Sequence, residues 1–130
     1  MKWLTLRIAL IFQAILWVAV GLGTTIDPRF LRAGTYGMEF TPDGVWFARF
    51  GGVTTLGTGL LAFLLRDTQE VKTRRAVIIT FLFIWVVHTV FYMIRASLGL
   101  YRSLGWVDIA NGILWSIIWL YFAIAKLDSD

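Results

Sequence analysis

A chain of 130 residues that is 58% hydrophobic and 15% charged, with a mean hydropathy of +0.75, is too apolar for an ordinary soluble domain and too short for several domains. Its net charge of +4 is spread over helix ends and short loops, which excludes the basic stripe of a nucleic-acid binder and makes a lipid bilayer the expected surroundings. The lack of cysteine excludes disulfides, thiolate metal sites and cysteine nucleophiles, and the single histidine, His88, excludes any site that needs two from one chain.

The first apolar run covers residues 3–23, long enough to cross about 30 Å of hydrocarbon at about 1.5 Å per residue. Its basic start and the Ala19-Val20-Gly21 segment also fit a cleavable signal peptide, but we read it as a retained span, with Gln13 near its middle. Residues 24–41 follow as a long loop with mixed charge, and loops of that length tend to be lids or to carry short helices. Its apolar residues, among them Phe30, Tyr36 and Phe40, predict that it lies against the protein or the membrane surface.

Thr41-Pro42 starts the second span, residues 42–65, with Thr41 as N-cap and Pro42 at the first helical position. Within it Ala48, Gly52, Thr55, Gly59 and Ala62 recur at helical spacing and form a stripe of small side chains, a groove that lets another helix approach closely. Ala48, Gly52 and Gly59 are therefore the expected surface for self-association or for another membrane protein. Arg49 lies in the same helix, where a guanidinium is costly and marks a polar partner or a cavity.

The run 66–75, RDTQEVKTRR, is the most charged in the chain. Asp67 followed by Glu70 resembles a capping box, which predicts that the third helix begins near Thr68 and projects from the membrane before the span over 72–95. A short connection leads to the fourth span, residues 106–126. Trp3, Trp46 and Trp106 mark span ends, where indole rings favour the interface. The class predicted is an all-α membrane protein, a single domain built as a four-transmembrane-helix bundle. Lys2, Arg7, Arg66, Lys72, Arg74, Arg75 and Lys126 fall on the side of both termini, against Arg29, Arg32, Arg49, Arg95 and Arg102 on the other. Both termini are thus predicted to be cytoplasmic, with the 24–41 loop outward.

That topology brings scattered polar residues to one depth. Arg49 on the second helix and Asp108 and Asn111 on the fourth enter from the outer side, while His88, Tyr92 and Arg95 share one face of the third. The candidate ligand site is an outward-opening polar pocket lined by Arg49, His88, Tyr92, Arg95, Asp108 and Asn111, with Gln13 as floor and residues 34–40 as lid. Two arginines against one aspartate suit an anionic small molecule or lipid. Each residue also has a plainer role: Arg49 and Asp108 as an intramembrane ion pair, Arg95 reaching toward headgroups, Gln13 and Asn111 as hydrogen-bonding glue between helices. Trp115 and Trp119, one turn apart, read as packing residues.

Arg49-Phe50-Gly51-Gly52 and Gly57-x-Gly59 in the second span, with Asp108 early in the fourth, give the chain a resemblance to small bacterial four-helix membrane proteins known only as a domain of unknown function, and more loosely to the DoxX-like group. The resemblance covers mainly the last three spans. It departs from that pattern in the third, which has Val87-His88 where the group has a Gly-Arg pair. What it implies is a bacterial plasma-membrane protein, with no catalytic residues carried over.

Three functions fit. One is an accessory, scaffold or binding subunit without chemistry, since one histidine, no cysteine and no pair of acids within the spans leave little catalytic machinery. The second is a transporter or a protein handling lipids or small anions through the polar pocket. A third is a carrier of haem or chlorin ligated by His88; no other cofactor and no metal is expected.

Overall fold

The computed structural model describes residues 5–29, 41–99 and 105–125. They hold four long helices: α1 (Leu6–Ile26), α2 (Pro42–Leu64), α3 (Val71–Ser97) and α4 (Gly105–Ala125). All four are long and apolar enough to cross a membrane. Even the 21 residues of α1 rise roughly 30 Å, the thickness of a bilayer's hydrocarbon core.

Local chemistry sets the helix ends. Thr5 caps α1 by accepting from the Ile8 N–H at 3.3 Å, so the helix starts three residues later than the apolar run suggests. It also ends later. Thr24 and Thr25 were expected to open the loop, yet both are helical, because the Thr25 hydroxyl donates to the Gly21 carbonyl at 2.7 Å and so hides its own polarity. The helix stops at Ile26, two residues before Pro28. Thr41 caps α2 as predicted, accepting from the Gly44 N–H at 3.1 Å, with Pro42 in the first turn.

The predicted start of the third helix needs correction. Asp67 does not cap it: its carboxylate is held by Arg7 at 2.9 Å and Arg66 at 3.2 Å, both within the first half of the chain. Glu70 takes the capping position instead, and its carboxylate accepts from the Thr73 hydroxyl rather than from the backbone. At its other end α3 runs two residues past the predicted 95 and closes on Gly99, whose φ of 68° is open to glycine at little cost. The predicted lid, residues 34–40, lies outside the described residues.

The chain divides into two compact units, Met1–Asp67 and Thr68–Asp130. Each is an antiparallel hairpin, α1 on α2 and α3 on α4. In the first the helices meet backbone to backbone. A Cβ built on Gly21 would stand 2.5 Å from the Leu56 nitrogen, one on Gly52 would stand 2.7 Å from the Thr25 nitrogen, and one on Gly59 would stand 2.9 Å from the Val18 nitrogen. The small-residue groove on α2 is real, and α1 of the same chain fills it at Gly52 and Gly59.

The second hairpin closes differently, on rings. Phe81 stacks on Trp119 with centroids 4.9 Å apart, and Trp85 stacks on Trp115 at 5.8 Å. Trp119 and Phe81 are among the most deeply buried side chains, which fits the packing role expected of the tryptophan pair. Beyond the stacks, Gly112 lets α4 approach Thr89, whose hydroxyl donates to the Trp85 carbonyl at 2.7 Å and lies 3.3 Å from the Ser116 hydroxyl.

Candidate functional site

The antiparallel register of each hairpin fixes the level of its polar residues. In the first, Gly52 faces Thr25, so carrying the pairing three residues on puts Arg49 level with Pro28, near the end where α1 and α2 are joined. Arg49 is half-buried. Its guanidinium carbon lies 5.2 Å from the centroid of the Trp46 ring, within range of a cation–π contact. Its Nε is shielded from solvent and has no hydrogen-bond partner among the described residues.

One turn deeper on α1, Thr24 is only 1% exposed, and its hydroxyl likewise lacks a partner among the described residues. Thr24 is a buried polar residue that the sequence reading did not single out. The signal was present: Gln13, Trp17, Gly21 and Thr24 recur at spacings of four, four and three, the inward stripe of α1, and all four are buried. Gln13, expected as a floor, is fully buried.

In the second hairpin the predicted face of α3 is present. The rings of His88 and Tyr92 stand 6.0 Å apart, and His88 also meets Trp85 at 6.2 Å. His88 Nδ1 lies 2.8 Å from the Ile84 carbonyl oxygen. Because a carbonyl only accepts, Nδ1 carries the proton there and Nε2 keeps the lone pair in the neutral ring. The ring is exposed rather than enclosed between α3 and α4.

Extending the pairing of Trp85 with Trp115 and of Thr89 with Gly112 puts Tyr92 level with Asp108, and Arg95 one turn nearer the α3–α4 connection. Asn111 falls near the level of Thr89. Tyr92, Arg95, Asp108 and Asn111 are all half-buried, and one side-chain atom of Arg95 and one of Asp108 are shielded from solvent. Five of the six predicted site residues therefore occupy the same end of one hairpin, while Arg49 belongs to the other unit. Chemically the set offers a guanidinium, a phenol, an imidazole lone pair, a carboxylate and an amide, which are groups that bind and orient. Among the described residues no three His, Asp or Glu side chains gather as a metal site would need.

No family model matches the chain, and neither a curated protein nor a solved structure matches it.

Proposed function

We propose that the chain is an integral membrane protein that binds rather than transforms, serving as an accessory or binding subunit of the bacterial plasma membrane. Support for the membrane comes from four apolar helices whose outward faces carry large side chains such as Phe12, Phe50, Phe83 and Ile124 in exposed positions. The excess of Lys and Arg in the 66–75 loop supports a cytoplasmic side for that loop and both termini. The connections within each hairpin then face outward, and so do the polar residues beside them.

The observation that carries the binding reading is the grouping of His88, Tyr92 and Arg95 along one flank of α3 with Asp108 and Asn111 at matching levels on α4. Ionisable side chains inside spans are costly and mark functional sites. A guanidinium and a phenol on one flank suit a carboxylate or phosphate group on a partner subunit or a small molecule. The test is native mass spectrometry of the full chain released from mild detergent, as wild type and as Arg95→Leu and Asn111→Leu. A bound anionic molecule or partner subunit that both variants lose supports the reading. A bare monomer from every sample overturns it.

A second reading rests on His88. With Nδ1 held by the Ile84 carbonyl, Nε2 would be the nitrogen that ligates haem or chlorin. A visible absorbance band in the purified protein that vanishes in His88→Ala would support it.

A further inference from the structure

His88, the only histidine of the chain, is held on three sides within the second hairpin. Its Nδ1 is bonded to the Ile84 carbonyl at 2.8 Å, and the rings of Trp85 and Tyr92 stand 6.2 Å and 6.0 Å away, one toward each end of α3. An imidazole restrained in this way loses little freedom when its other nitrogen takes a ligand. Yet the ring is exposed, on a flank of α3 that also presents Phe91, itself exposed, and Ile84 and Val87, both half-buried. An imidazole open to hydrocarbon is costly. What suits this flank is a ligand with broad apolar faces and an electrophilic centre. Seven residues on from His88, on the same face and about 10 Å further along α3, Arg95 adds a guanidinium.

We propose that two copies of the chain share one iron tetrapyrrole, each donating the Nε2 lone pair of its His88 to one face of the iron, with Arg95 at the carboxylate edge of the macrocycle. This deepens the second reading above and rests on it. A flat apolar ring laid along the α3 flank covers the imidazole and packs on Phe91 and Ile84. Its two carboxylates hang from one edge, and with that edge turned toward the α3–α4 connection they meet the guanidinium. Nε2 needs only to be reachable, because an iron–nitrogen bond displaces the weaker contacts an imidazole makes without it.

The sharing follows from the donors at hand. The chain has no second histidine and no cysteine, and Met93, the one methionine among the described residues, lies five residues on from His88 and about 140° round the helix. Tyr92 stands on the same side of the macrocycle as His88, so it is no ligand for the opposite face. A second copy supplies that ligand by symmetry. Copies in one bilayer share an orientation, so a twofold axis relating them runs along the membrane normal and sets the two His88 side chains at one depth. The same axis brings both Arg95 side chains to one edge, where two guanidiniums meet two carboxylates.

The full chain in mild detergent is titrated with ferric protoporphyrin IX, followed by visible absorbance and electron paramagnetic resonance, and the stoichiometry is read by native mass spectrometry. Wild type is expected to saturate at one haem per two chains, with the low-spin spectrum of iron held by two imidazoles. His88→Ala is expected to lose that spectrum and the haem-bound dimer. His88→Gly should regain the spectrum when free imidazole is added, which a merely structural role of the side chain would not produce. Arg95→Leu should bind about tenfold more weakly while staying low-spin. The dimethyl ester of the same haem, which has no carboxylates, should bind wild type and Arg95→Leu alike, and this arm separates lost recognition from a misfolded variant. A high-spin complex of one haem per chain that depends on His88 overturns the sharing and leaves the second reading standing. Failure of wild type to bind, or a low-spin complex that His88→Ala retains, defeats both. Equal affinity of wild type and Arg95→Leu for the free acid overturns the role given to Arg95.

Discussion

Replacing Gly21 with alanine tests whether the first hairpin is held by backbone approach. The added Cβ would meet the Leu56 nitrogen at 2.5 Å, the Leu56 Cα at 2.8 Å and the Gly52 carbonyl oxygen at 2.9 Å, where ordinary contact begins at 3.4 Å. All three are main-chain atoms, so no rotamer change clears them, and α1 must retreat from α2 by roughly 1 Å. A gap of about that size forfeits a quarter to a half of each dispersion well along the seam. In lipid no hydrophobic drive replaces what is lost. Overpacking of this kind costs about 1–3 kcal/mol, and against main-chain atoms that cannot turn aside the upper end of that range applies; the better helix propensity of alanine returns about 1 kcal/mol, which leaves a net loss of about 2 kcal/mol. The assay is unfolding of the full chain in mixed micelles by increasing SDS, followed by tryptophan fluorescence. Gly51→Ala and Gly57→Ala are the controls, since a Cβ at either position meets nothing within 4 Å. Both should match or exceed wild type. If Gly21→Ala unfolds at the same SDS fraction as these controls, close backbone contact is not what holds the hairpin.

Gly112→Ala should be milder than Gly21→Ala, because its Cβ meets the Thr89 hydroxyl at 2.5 Å but the Thr89 backbone only at 3.4 Å. Rotating that hydroxyl away gives up its bond to the Trp85 carbonyl and its contact with Ser116, about 1 kcal/mol in the same SDS titration. Asp67→Asn removes the negative charge that pairs with Arg7 and Arg66, yet the Arg7 and Asp67 side chains are 64% and 53% exposed, so stability should change by less than about 1 kcal/mol. A larger shift that persists at high salt would show that the pair is shielded. The lack of cysteine permits a direct test of orientation: Asp43→Cys should react with an impermeant maleimide in intact cells and Thr68→Cys only after lysis. The reverse pattern would invert the topology.

Helix number and approximate bounds were legible because each span is a long apolar segment, and Thr41-Pro42 marked the start of α2 by its own chemistry. The boundaries that moved did so for reasons that hydropathy does not encode. Thr24 and Thr25 look polar, but Thr25 returns its hydroxyl to the Gly21 carbonyl one turn back, Thr24 is buried, and α1 runs through both. Asp67 and Glu70 have the spacing of a capping box, but Arg7, some sixty residues earlier, competes for the aspartate, and a local motif cannot reveal a distant partner.

The candidate site divides along the same line. The face shared by His88, Tyr92 and Arg95 follows from helical spacing and was readable in advance, whereas the unsatisfied hydroxyl of Thr24 appears only once its burial is known. The glycine stripe was readable too, but its occupant was not: the spacing of Gly52 and Gly59 shows that a helix can approach, and α1 is the helix that does. This bears on Arg49. Had the first hairpin closed through polar contacts, an arginine in α2 would be explained as part of its seam. It closes instead on glycine, with the threonine hydroxyls at 54, 55 and 58 bonded back onto their own helix. A guanidinium in an apolar helix is costly and this seam closes without it, so the closing of the hairpin does not account for its presence.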